Sequence, residues 1–191
     1  MENKFVYIVI PTTPERRKQT DRLVESIREN TKMPHCIVIY ENNDGGWVPA
    51  VHNAIQGING YVVLLGSDVV VYSQWLETLW ATFWQQFPNG DGAAQPYDEI
   101  NNGNLCQHPL AHTDTIRKYL HPSYIHNFSD NEMTERLMAE NKYCYVPYAK
   151  IEHLHWVNKK AEVDETYKTI MNTYERDRRN YEQRRAAGFP A

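Results

Sequence analysis

Hydrophobic positions along the chain fall into short continuous runs separated by helical stripes, and that alternation predicts the architecture. The run FVYIVI at 5–10 is apolar throughout, rich in β-branched residues and stopped by Pro11. Those are the marks of a strand buried on both faces. TTPERRKQTDRLVESIREN follows, with Thr13 as N-cap, Pro14 at the first helical position, and Leu23, Val24 and Ile27 at helical spacing. The pattern then repeats: CIVIY (36–40) reads as a second buried strand, ENNDGG as a polar loop, WVPAVHNAIQG as a short helix, and YVVLL (61–65) as a third strand. In SQWLETLWATFWQQF (73–87) Ser73 is the expected N-cap, and Trp75, Leu76, Leu79, Trp80, Phe83, Trp84 and Phe87 form one broad apolar stripe. Strand and helix units alternating at this length predict an α/β chain: a mostly parallel central sheet flanked by helices.

Beyond Pro88 the periodicity fades. The stretch to Pro109 is rich in Gly, Asn and Pro, with room for a short strand near Gly92 to Pro96. DTIRKYL reads as helix, and SDNEMTERLMAENK (129–142) as a helix opened by a Ser129/Glu132 capping box. YCYVPYAKIEHLHW reads as extended, and 161–191 as a helical tail.

At 191 residues the chain is long enough for one well-buried domain and short for two. A net charge of −4 argues against coating nucleic acid by bulk electrostatics. The arginines of YERDRRNYEQRR (174–185) are diluted by acidic residues and read as a solvated helix face. Cys36, Cys106 and Cys144 are odd in number and widely spaced, so neither a disulfide framework nor a paired-cysteine zinc site is expected, and a reducing, cytoplasmic location fits. The N-terminal apolar run is too short for a signal peptide, and no stretch approaches a membrane span.

In an open parallel sheet, ligands bind outside the carboxyl ends of the strands. Strand one delivers Pro11, Thr12 and Thr13, strand two delivers Glu41 to Asp44, and strand three delivers Gly66, Ser67 and Asp68. No G-x-G-x-x-G or G-x-x-x-x-G-K-[ST] loop is present to hold a diphosphate on backbone amides. Asp68 interrupts the apolar run YVVLLGSDVVVY, and a bare charge inside a core costs several kcal/mol, so it sits at the core's mouth or has a cation. A divalent metal that neutralises phosphate supplies that cation. His153 and His155, two apart in an extended segment, face the same way.

The order YIVIPTTPERR, IVIYENND, VHNAIQGINGYVVLLGSDVVVYSQWLETL, FSDNEMTERL, VPYAKIEHLH resembles the GT-A-fold, family-2-like glycosyltransferases that use nucleotide sugars, over roughly residues 1–155. The resemblance implies a Rossmann-like GT-A domain over 1–191, a nucleoside-diphosphate sugar as donor (a UDP-sugar foremost), and Mn2+ or Mg2+ as cofactor. Carried over residue by residue, it places the nucleoside pocket at Pro11, Thr12 and Thr13, with Arg16 or Arg17 beside it. The base contact falls on Glu41 or Asn42, and a helix pair on His52 and Asn53. The D-x-D metal motif falls on Gly66, Ser67 and Asp68, keeping only its final carboxylate. The catalytic base falls on Asp130 and the metal-completing histidine on His153. Such a base takes the acceptor proton while the metal holds the leaving diphosphate, giving displacement with inversion. In the first turn of a helix, Asp130 and Glu132 equally suit the helix dipole. His108 and His112 lie where the family reads donor or acceptor. Compact transferases of this kind occur in phages, where some modify hydroxymethylated DNA bases, so DNA stands among the implied acceptors. Two other readings remain open: a non-catalytic nucleotide-sugar binding protein, from the incomplete D-x-D motif, and a metal hydrolase built on Asp68, His153 and His155.

Overall fold

The computed structural model describes residues 5–41 and 45–190. Its elements run β1 (Val6–Thr12), a 3-10 turn (Pro14–Arg16), α1 (Arg17–Asn30), β2 (His35–Glu41), α2 (Trp47–Ala54), β3 (Tyr61–Leu64), β4 (Val69–Val71) and α3 (Trp75–Gln86). They continue with β5 (Ala93–Tyr97), β6 (Leu110–His112), α4 (Thr113–Tyr119), α5 (Ser129–Ala139), β7 (Tyr143–His153) and α6 (Glu165–Ala186). The seven strands form one sheet in the order β2-β1-β3-β6-β5-β7-β4. β1, β2, β3, β5 and β7 point one way, while β6 and β4 run against them. The sheet is therefore mostly parallel.

Period-two alternation sorts the core. Ile8, Ile10 and Val63 face one side with Leu23 and Ile27 of α1 and Trp75, Leu79 and Phe83 of α3. Val9, Val62 and Leu64 face the other with Val51 of α2, Ile116 and Tyr119 of α4 and Leu137 of α5. Trp75 is fully buried, and its indole N–H donates to Thr31 Oγ1 at 2.8 Å, so a large apolar area is removed from water without an orphaned donor.

Several local expectations are corrected. β2 is an edge strand with one neighbour, β1, so its side chains are half-buried or exposed rather than buried on both faces, with Ile39 47% exposed. Pro14 opens a 3-10 turn, and α1 begins only at Arg17. α3 starts after Gln74 in the left-handed region (φ 63°), so Ser73 is not its cap. α5 likewise follows Phe128 at φ 63°, which puts Ser129 inside the helix. Ser129 Oγ donates to the His126 carbonyl at 3.1 Å, and no capping box forms. Glu132 is fully buried instead, receiving Arg184 Nε at 2.7 Å, Arg184 Nη2 at 2.8 Å, Arg136 Nη1 at 3.2 Å and Tyr124 OH at 2.8 Å. A buried carboxylate paired with two arginines outweighs a solvated capping contact.

α6 is tied down along its length. Asp177 is fully buried and accepts the backbone N–H groups of Ile125, His126 and Asn127 at 3.2, 2.8 and 2.9 Å. Among the described residues, no helix is long and apolar enough to cross a membrane.

Candidate active site

The short strand β4 builds the site. It pairs antiparallel with β7 so that Val69 stands opposite His153, and Leu154 N–H donates to the Asp68 carbonyl at 2.7 Å. Asp68 and His153, 85 positions apart in the sequence, thereby meet: His153 Nε2 lies 3.4 Å from Asp68 Oδ1. The other oxygen, Oδ2, accepts Arg16 Nη1 at 3.1 Å and Tyr167 OH at 2.7 Å. Asp68 is only 6% exposed and lines a cleft, so it sits at the mouth of the core, and its side-chain partners there include Arg16 and His153.

The network extends in two directions. Arg16 Nε and Nη2 donate to Asp164 at 3.1 and 3.2 Å, and its guanidinium lies 4.2 Å from the Tyr167 ring centre. Asp164 also caps α6, accepting Tyr167 N–H at 2.9 Å. On the other side, His153 Nδ1 meets Asp98 Oδ2 at 3.1 Å, and Asp98 is fully buried. His108 Nε2 is 3.6 Å from the same oxygen, beyond hydrogen-bond range, and neither of its buried ring nitrogens has a hydrogen-bond partner among the described residues.

Burial works against charge on Asp68, but His153, Arg16 and Tyr167 outweigh it and hold the carboxyl far below the usual range. Burial also opposes the His153 imidazolium, yet Asp68 and Asp98 raise its pKa to about 9. His155, by contrast, is pushed down to about 4 by burial and by the neighbouring His153 charge.

The cleft has a volume of about 940 Å³ and opens where β1 and β3 end. Pro11, Thr12, Thr13, Gly66, Ser67, Asp68, Asp130 and His153 all line it. Gly66 keeps the approach to Asp68 open: a Cβ there would stand 2.7 Å from Asp68 Oδ1, which would have to shift. Asp130, half-buried in the first turn of α5, accepts Gln107 Nε2 at 3.0 Å and the Asn131 N–H at 3.0 Å. Burial raises its pKa against the lowering effect of both bonds. A carboxylate so placed, at the cleft wall with its pKa raised, is suited to accept a proton from a bound hydroxyl.

Other candidates lie elsewhere. Arg17 and Glu41 border a separate hollow of about 380 Å³ with Thr20 and Ile39, and Arg17 bonds Asp21 at 3.0 Å. The 3-10 turn explains why Arg16, not Arg17, enters the cleft. Asn53 is exposed on α2 and does not line the cleft, while His52 Nε2 bonds the Leu120 carbonyl at 2.8 Å. Asn42 lies outside the described residues. His112 caps α4 and packs on Tyr61, away from the cleft. Sequence reasoning missed Tyr167, Asp98 and Asp164; a buried acid in a Gly-rich loop and a helix-capping Asp carry no local signature of their partners.

Asp68, His153 and His155 offer ligand atoms within 4.8 Å of one another. One carboxylate with two imidazoles suits a divalent cation, and the imidazoles tilt the set towards Mn2+ over Mg2+. Behind His153 the buried Asp98 faces its Nδ1 at 3.1 Å, a contact of the kind that orients metal-binding histidines.

No family model and no curated protein sequence matches the chain. Solved structures match in fold. Staphylococcus aureus TarS (1–349) superposes with a TM-score of 0.57 at 12% identity, over 78% of this chain and 60% of that one. This chain thus spans about 60% of the TarS fragment's length. Mycobacterium tuberculosis glucosyl-3-phosphoglycerate synthase, in complex with Mn2+, UDP and glucosyl-3-phosphoglycerate, gives 0.54 at 10% identity, over 78% and 72%. A putative glucose-1-phosphate thymidylyltransferase from Bacillus anthracis gives 0.50 at 8% identity, over 86% and 99%. These likenesses establish the GT-A fold. Because the fold is shared by a transferase of another kind, activity must be argued from the site.

Proposed function

We propose that this chain is a glycosyltransferase that moves a sugar from a nucleoside-diphosphate sugar, with uridine the favoured base, to an acceptor hydroxyl with inversion. The observation that carries it is the meeting of Asp68, His153, His155 and Asp130 on the walls of one cleft at the carboxyl edge of the sheet. Mn2+ and UDP in the structure of the M. tuberculosis enzyme support this reading of the donor side.

The backbone at Pro11 to Thr13 walls the nucleoside, and Gly66 and Ser67 let the diphosphate approach Asp68 closely. A Mn2+ or Mg2+ ion held by Asp68, His153 and His155 would offset the charge of the leaving diphosphate. Asp98 holds His153 by Nδ1 and so presents Nε2 to the cleft. Asp130 takes the acceptor proton as the acceptor oxygen bonds the anomeric carbon, and the bond to the diphosphate oxygen breaks with its electron pair leaving on the nucleotide.

Asp130→Asn tests this: kcat is expected to fall about 10²- to 10⁴-fold with UDP affinity unchanged. Turnover equal to wild type would remove Asp130 as base, and a wild-type chain that binds UDP but never transfers would favour the non-catalytic reading. Three of the five arginines of α6 are engaged within the chain, Arg178 with Glu175 and Glu182, Arg184 with Glu132 and Arg185 with Glu135, which weakens the case for a hydroxymethylated DNA base.

A further inference from the structure

The charges on the cleft wall are lopsided. Glu15, Asp68, Asp130 and Glu165 are acidic, and among the described lining residues the one Lys or Arg is Arg16. Arg16 is 6% exposed and already committed to Asp68 and Asp164. Phosphorylated acceptors are gripped by Arg and Lys in charge-assisted bonds, and nucleic acids by several such contacts. The one Arg of the lining, Arg16, is turned to Asp68, on the donor side of the proposed reaction.

The wall formed by α6, the start of α5 with the segment leading into it, and the turn at Trp156 after β7 has a different character. Trp156, Met171 and Tyr174 stay 37%, 47% and 45% exposed there. Phe128 adopts a left-handed backbone that no glycine relieves, and its ring packs 5.0 Å from Tyr174 and 5.5 Å from Tyr181. Such strain costs about 1–3 kcal/mol and collects at functional sites. Asn131, Thr166 and Thr169 add neutral hydrogen-bonding groups to the same wall. Flat apolar faces set among neutral amides and hydroxyls match a pyranose ring, whose C–H faces stack on aromatics while its hydroxyls bond the polar groups.

We infer that the acceptor is a neutral saccharide seated on this α6 wall, with its reacting hydroxyl towards Asp130. The inference rests on the transferase reading and names its second substrate class.

The test is an array of neutral, phosphorylated and sulfated glycans with a duplex DNA oligonucleotide, probed with the full chain in the presence of UDP and Mn2+. Binding confined to neutral glycans, weakened about ten-fold in Trp156→Ala and Tyr174→Ala with UDP affinity intact, is the expected result. Both side chains are partly exposed, and melting temperature checks that the variants fold. Preference for anionic glycans or DNA, no glycan bound, or full binding in both variants would overturn the inference. Neutral-glycan binding without any UDP binding would keep the saccharide site and remove the transferase reading instead.

Discussion

Asp177→Ala probes what holds the cleft's α6 wall in place. The carboxylate is fully buried and is the shared acceptor for three consecutive backbone N–H groups at 2.8–3.2 Å. Truncation leaves those donors buried and unpaired. Each neutral N–H left without its bond to the carboxylate costs about 1–3 kcal/mol, and because the three share one acceptor the costs are not additive, which puts the total at about 3–5 kcal/mol. For a chain of this size, each kcal/mol lowers Tm by about 2–4 °C, which gives a fall of roughly 6–20 °C. Asp177→Asn keeps one acceptor oxygen but turns an amide N–H2 towards the donors, so it lands between wild type and alanine. Differential scanning fluorimetry without ligands reads the effect, and urea unfolding converts it to free energy. A fall under about 3 °C in the alanine variant would refute the reasoning, because the 125–127 loop would then be held by something other than Asp177.

Gly66→Ala places a methyl 2.7 Å from Asp68 Oδ1, so Mn2+-dependent UDP binding, read by calorimetry, is expected to be lost while Tm without ligand changes little. Asp98→Asn frees the tautomer of His153, and Mn2+ affinity measured by electron paramagnetic resonance is expected to drop about 10- to 100-fold; equal affinity would show that Asp98 does not position His153. The pKa of Asp130 is raised by burial, so the base is protonated and idle further up the pH scale. The kcat profile should therefore fall with acid through a midpoint above the ordinary aspartate value of about 3.9, and a flat profile down to about pH 4 would contradict it.

The elements legible in the sequence were those with long periodic signals. β1, α1, β3, α3 and the extended 143–156 segment were all read from apolar runs or helical stripes. The three-residue strands β4 and β6 were not, since three apolar residues carry no period, and β4 sits inside a run that reads as one strand. That omission mattered, because β4 is what sets Asp68 beside His153. Glu132 shows the opposite failure. A local capping signal was present, but Arg184, 52 residues later, supplied a stronger partner. The partners of Asp68 were hidden for the same reason: Tyr167 is 99 residues away, and the direction of Arg16 depends on a 3-10 turn in place of a helical one.

The measurement that tests the central claim most directly is the thermal stability of wild type and Asp68→Ala with UDP, with and without Mn2+. A ligand that binds the folded state raises Tm by mass action. The account predicts a rise in wild type that needs both Mn2+ and UDP and is absent in Asp68→Ala. No rise in wild type, or the same rise in both proteins, would contradict the reading of Asp68 as the anchor of a nucleotide-sugar donor site.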